Sequence, residues 1–117
     1  MKKFLLKVCF IVLISLKAHA NGFITGFEDL PLIPGWEQNH EASVSFDSVG
    51  GRIVRAEIFE DTKSKANAKA FYEKTLPQLG WKKRPDGSYI REGERLTVQY
   101  NLVGSVKKVS FELITNK

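Results

Sequence analysis

Ala42, Val44 and Phe46 alternate with Ser43, Ser45 and Asp47, and the two-residue period returns as Val54, Ala56 and Ile58 against Arg55 and Glu57, with Ile53 and Phe59 breaking the polarity. Successive side chains of a strand point to opposite faces, so each stretch predicts a half-buried strand. Gly50 and Gly51 stand between them and offer the freedom of a tight turn, which joins the two as a hairpin. The period then lengthens. Ala68, Phe71, Tyr72, Thr75, Leu76 and Leu79 form one apolar stripe at helical spacing, with Lys65, Lys69, Glu73 and Lys74 lying away from it. Ser64 is the expected N-cap. Pro77 disfavours helical dihedrals in the residue before it, so the regular helix should end near Thr75 or Leu76, followed by a short turn before Gly80.

Four more strands follow from turn chemistry: Trp81 to Arg84, Ser88 to Glu92, Arg95 to Leu102 and Val106 to Ile114. Pro85-Asp86-Gly87, Gly93, and Gly104 with Ser105 separate them, and turns this short make the neighbours antiparallel. The expected fold class is therefore α+β, a single helix packed on a curled antiparallel sheet in the order ββαββββ. Upstream, Gly22, Gly26, Pro31, Pro34 and Gly35 punctuate an apolar stretch, which excludes a long helix and a central strand. The stretch is expected to form an extended arm whose Phe27, Leu30, Leu32, Ile33 and Trp36 lie against the core or a partner, because each such side chain gains about 1.5–3 kcal/mol on full burial. The organisation expected is residues 1–20 as an export segment, 21–40 as the arm and 41–117 as the α+β domain.

Residues 1–20 carry the three parts of a secretory signal in order. Lys2, Lys3 and Lys7 form a basic start, Val8 to Leu16 is an apolar run, and Ala18-His19-Ala20 is a small-x-small cleavage site. The run falls short of the roughly 20 residues that a membrane-spanning helix requires. The mature chain is thus expected to begin near Asn21, without a transmembrane span, in the periplasm or outside the cell. Discounting the signal changes the composition. The chain has a single cysteine, Cys9, and it lies in the apolar run, so disulfides and thiolate chemistry are excluded from the mature form. Four of the 18 Lys and Arg leave with the signal, so 14 face 13 Asp and Glu. A near-neutral domain of this kind does not suit the many phosphate contacts of nucleic-acid binding.

The segment Phe71, Tyr72, Leu76, Pro77, Gly80, Trp81, followed by a charged strand, a Pro-Asp-Gly turn and alternating strands, resembles small exported proteins of alphaproteobacterial type. It also resembles the helix-grip modules of envelope lipoproteins such as the outer-membrane assembly component BamC. Phe27 to Gly35, ending in Leu32-Ile33-Pro34-Gly35, is similar to the start of the same exported proteins. The resemblance implies a helix-grip-like periplasmic accessory or binding module, with no catalytic residue to carry over. Cys9 stands near the start of the apolar run, after Lys7 and Val8, instead of at the end of a completed stretch, which departs from the lipoprotein pattern.

Candidate chemistry is sparse, and no cofactor is implied. His40, flanked by Glu37 and Glu41, could supply nitrogen and oxygen ligands to a metal, or act with Asp47 and a serine in hydrolysis. A closed metal site wants four ligands, and no Gly-x-Ser-x-Gly elbow is present. Glu57 and Glu112 are a conceivable carboxylate pair if both face the exposed side of the sheet. Lys82, Lys83, Arg84 and Arg91 form a candidate basic patch for an anionic lipid or glycan, although lysines on a strand edge also discourage edge-to-edge pairing. Trp36, Tyr72, Trp81 and Tyr100 are the candidate ligand contacts, with Tyr89 nearby, since Trp and Tyr join apolar bulk to a polar handle. They would line a groove between helix and sheet, closed by the arm. The function expected is that of an exported, non-enzymatic module binding an envelope protein, glycan or lipid, and the alternative is a small hydrolase or metal-dependent enzyme centred on His40.

Overall fold

The computed structural model describes residues 22–60 and 67–116. The export segment and Ser64 lie outside the described residues. One helix packs on an open antiparallel sheet, and the order is broadly ββαββββ, with one short strand added at the start. The elements are β1 (Glu37–Gln38), β2 (Val44–Ser48), β3 (Gly51–Phe59), α1 (Ala68–Gln78), β4 (Lys82–Lys83), β5 (Tyr89–Arg91), β6 (Glu94–Val103) and β7 (Val106–Asn116). In space the strands run β1-β3-β7-β6-β5-β4, and β2 continues along the edge of β3 that β1 begins. A 3-10 turn at His40–Ala42 separates β1 from β2. The Asn39 N–H still donates to the Glu57 carbonyl (2.9 Å) at that break.

The register puts Val54, Ala56 and Ile58 of β3 beside Leu113, Phe111 and Val109 of β7, and all six are buried. Leu96 and Tyr89 continue that apolar face across β6 and β5. Ala68, Tyr72 and Leu76 of α1 cover it. Tyr72 meets Phe111 edge to face at a ring separation of 5.1 Å, and its buried hydroxyl donates to the Pro31 carbonyl (2.7 Å).

Instead of running extended, residues 22–36 double back. Phe23 bridges Pro31, the Ile24 N–H donates to the Leu30 carbonyl (2.9 Å), and Gly26 takes a φ of 102° that a side chain would resist. The loop buries Ile24, Leu30, Ile33 and Trp36 at 3% exposure or less, so it lies against the core. The Gln38 side chain holds it in place, accepting from the Thr25 N–H (2.8 Å) and donating to the Thr25 carbonyl (3.1 Å).

Two boundaries differ from expectation for local reasons. The N-cap of α1 is Asn67, whose side chain accepts the Ala70 N–H (3.0 Å). The helix also passes through Pro77 to Gln78. Proline costs an interior helix its i→i−4 bond, but here the last turn is closed from beyond. The Trp81 N–H donates to the Leu76 carbonyl (3.1 Å) and the Gly80 N–H to the Pro77 carbonyl (3.1 Å), with Gly80 at φ 96°. That is the Schellman arrangement, and burial of both Leu76 and Trp81 supplies its apolar contact.

The first hairpin turns at Val49 and Gly50, and Gly51 pairs with Ser48 as the first residue of β3. Neither Gly50 nor Gly51 takes a positive φ. A Cβ on Gly51 would stand 2.5 Å from the Thr115 carbonyl oxygen, so this glycine serves the close approach of β3 to β7. The β5–β6 turn is Glu92 (φ 47°) and Gly93 (φ 82°), both left-handed as a type I′ hairpin requires. Among the described residues no helix is long and apolar enough to cross a membrane.

Candidate binding groove

A strand rises about 3.3 Å per residue and a helix about 1.5 Å. The 10 and 11 residues of β6 and β7 therefore outreach the 11 residues of α1. The β6–β7 hairpin projects past the first turn of the helix, and Gln99 to Val103 are all exposed. Between hairpin and helix lies a groove of about 490 Å³. Buried Trp36, Ala68 and Val109 line it together with Tyr100 and Leu102, which are 36% and 67% exposed. Tyr100 stands beside Val109 in the β6–β7 register, and Leu102 beside Lys107. Lys69 and Lys107, both exposed, also border it. Burial, with smaller contributions from Tyr89 and Glu73, pushes the Tyr100 hydroxyl above the ordinary tyrosine range, so the phenol stays neutral and can donate a hydrogen bond.

Of the four candidate contact residues, the structure brings Trp36 and Tyr100 to this groove. Tyr72 is fully buried with its hydroxyl committed to Pro31. Trp81 is 5% exposed at the other end of α1, where it lines a separate cavity of about 110 Å³ with Asp29 and Arg91. Leu102, Ala68 and the two lysines are not among the contact residues that the sequence pattern nominates. The mismatch in length between the last two strands and the helix is the signal that would have found them.

The basic residues Lys82, Lys83, Arg84 and Arg91 do not converge. Lys82 pairs with Ile90 and Lys83 with Tyr89, so the two lysines point to opposite faces of the sheet. Lys83 donates to Glu73 (3.0 Å), which raises its pKa. Arg91 is drawn inward: it donates to Asp29 (2.8 and 3.3 Å) and to the Leu79 carbonyl (2.8 Å), and it lies over the Trp81 ring. Arg84 is exposed, with its backbone N–H donated to the Ser88 carbonyl (2.7 Å).

On the opposite face of the sheet, Glu57 and Glu112 share a groove of about 230 Å³ with Arg55. Each is held by a cation. Arg55 donates to Glu112 (2.8 Å) and Lys108 to Glu57 (3.4 Å). His40 begins the 3-10 turn capped by Asn39, and it is exposed, as are Glu37 and Glu41. Among the described residues, no three His, Cys, Asp or Glu side chains are grouped to hold a metal ion.

The described residues thus form an α+β fold, one helix on an open antiparallel sheet, whose longest hairpin overhangs an apolar groove. Comparison with protein-family models, with curated proteins and with solved structures gives no match.

Proposed function

We propose that this chain is an exported, non-enzymatic module of the bacterial envelope that holds a partner, whether protein, glycan or lipid, in the groove between the first turn of α1 and the β6–β7 hairpin. The observation that carries this reading is the groove itself. Its volume of about 490 Å³ falls within the roughly 300–1,000 Å³ typical of ligand sites. Its walls join buried Trp36, Ala68 and Val109 to Tyr100 and Leu102, which remain 36% and 67% exposed, so apolar surface is gathered in a concave site instead of standing singly as at Phe46 or Val49. The basic start, apolar run and Ala18-His19-Ala20 triplet support export. The likeness of the Phe71 to Trp81 segment to exported envelope modules points the same way.

Photo-cross-linking in the producing cell tests the proposal. A photo-reactive residue replacing Leu102 should give a discrete adduct in the envelope fraction. The same residue replacing Val49, which is 96% exposed at the far hairpin, should give none. Equal labelling at both positions, or none at 102, would overturn the groove as the site. N-terminal sequencing of the recovered chain should begin near Asn21, and a chain that keeps Met1 would overturn cleavage.

A further inference from the structure

Seven of the ten residues of β6 have no strand neighbour on one side among the described residues. β5 pairs only with Glu94 to Leu96, so from Thr97 to Val103 one edge of β6 meets no strand among the described residues. The ladder fixes which backbone groups are left open. The turn at Gly104 and Ser105 closes on the pair Val103 and Val106. Bonded and non-bonded pairs alternate in an antiparallel ladder. Val103, Asn101, Gln99 and Thr97 therefore exchange hydrogen bonds with β7, whereas Val98, Tyr100 and Leu102 turn their N–H and C=O groups outward. The bond from the Glu60 N–H to the Lys107 carbonyl (3.0 Å), on the other side of β7, has the matching phase. Side chains of the outward-turned residues face the helix side of the sheet, where Tyr100 and Leu102 line the groove.

This edge also lacks the usual protection. Thr97 to Val103 contains no charged residue, while β4 is Lys82–Lys83 and β2 carries Asp47. Charges and short length keep edges from pairing, and here both are missing. We infer that the open edge of β6 accepts an extended, acidic segment of a partner polypeptide, which adds as a strand in line with β5 and lays alternate side chains in the groove.

The inference rests on the binding-module reading and specifies its partner. Three outward pairs of N–H and C=O at strand spacing are complemented by another backbone, and a lipid chain offers neither group. Charge selects the kind of polypeptide. Lys69 and Lys107 border the groove, and no Asp or Glu is among its described lining residues. A second copy of the chain would bring the same two lysines and no carboxylate to that place.

The probe is a fluorescein-labelled peptide of alternating valine and threonine that ends in two glutamates, titrated against the purified chain by fluorescence polarisation. Binding should saturate, and it should weaken about tenfold or more when the peptide ends in two lysines or is N-methylated at alternate amides. The exposed double variant Lys69→Glu/Lys107→Glu should reverse the preference to the lysine-ended peptide. On binding, amide exchange should slow at Val98, Tyr100 and Leu102 and stay unchanged at Gln99 and Asn101, which β7 already protects. Absence of saturable binding, equal affinity for the N-methylated peptide, or unchanged exchange at the three outward amides overturns strand addition. So does tight binding of dodecanoate that the peptide cannot displace, or protection of the same amides by self-association. A cross-link at position 102 that survives any of these results leaves the binding module standing with a different partner.

Discussion

The Arg91 guanidinium lies 4.2 Å over the Trp81 ring and donates at the same time to the Asp29 carboxylate and to the Leu79 carbonyl. One side chain of β5 thereby joins the N-terminal loop, the C-terminal end of α1 and the residue that re-enters the sheet. Leu79 caps α1, and a carbonyl there has no partner within the helix. Arg91 supplies one. The Arg91 side chain is 19% exposed and that of Asp29 42%, so the contacts to Leu79 and Trp81 lie on the inner side and the ion pair meets water at its carboxylate end.

Arg91→Ala should lower stability by about 2–3 kcal/mol, since hydrogen bonds to charged groups contribute about 1.5–3 kcal/mol and a cation over an aromatic ring roughly 0.5–2. Arg91→Lys should recover less than half of that, because an ammonium cannot make the forked contact to Asp29 while reaching Leu79. Urea denaturation of the two variants measures the difference. A loss below about 0.5 kcal/mol, the range of ordinary surface substitutions, would mean that the clamp is ornamental.

Arg91 marks where the sequence stops being legible. Period-two alternation exposes β3, β6 and β7, and the stripe from Ala68 to Leu79 exposes the helix, because both signals are local. The Arg91–Asp29, Tyr72–Pro31 and Gln38–Thr25 contacts join residues 62, 41 and 13 positions apart, and no local pattern announces them. Hence the residues read as an extended arm fold back as a loop, and an arginine read as part of a basic patch is internal. The groove was half legible. Trp36 and Tyr100 stood out as aromatics, whereas the open edge beside them follows from β5 having three residues against the ten of β6.

The Tyr72 hydroxyl satisfies the Pro31 carbonyl in a site the ring fully buries, and Tyr72→Phe should cost about 1–2 kcal/mol by leaving that carbonyl unpaired. Burial also pushes the Tyr72, Tyr89 and Tyr100 hydroxyls above the ordinary tyrosine value, and these are the only tyrosines in the chain. A folded pKa above the unfolded one means that the native state holds its protons longer. The stability this represents is complete below the unfolded value of about 10 and is lost as pH rises beyond it. Phenolate absorbance should therefore stay low until the chain unfolds, then rise in step with the loss of circular dichroism. A smooth titration near the ordinary value with the fold intact would contradict this.

Gly50 and Gly51 look equivalent in sequence and should respond oppositely to alanine. A Cβ at Gly51 would stand 2.5 Å from the Thr115 carbonyl oxygen, a backbone atom of the neighbouring strand, so Gly51→Ala should cost about 1–3 kcal/mol. At Gly50 nothing lies within 4 Å and φ is not positive, so Gly50→Ala should be neutral or stabilise by up to about 1 kcal/mol through the entropy of the unfolded chain. Thermal melts of both variants decide it, and equal shifts would place the close approach elsewhere.

Leu102→Glu separates holding a partner from folding. Leu102 is 67% exposed and outside the buried core, so the replacement should change stability by less than about 0.5 kcal/mol. It nevertheless puts a charge on the open edge, the device by which natural edge strands refuse additional strands, and its sign opposes an acidic segment. The replacement also removes apolar surface from the groove beside Tyr100. Recruitment of the partner in the cell and affinity for the acidic peptide should both fall, with the melting temperature unchanged. An equal charge at Val49→Glu, in the remote hairpin, should alter neither. If Leu102→Glu and Val49→Glu behave alike at equal stability, the overhang of the β6–β7 hairpin is a consequence of strand length alone and the partner docks on another face.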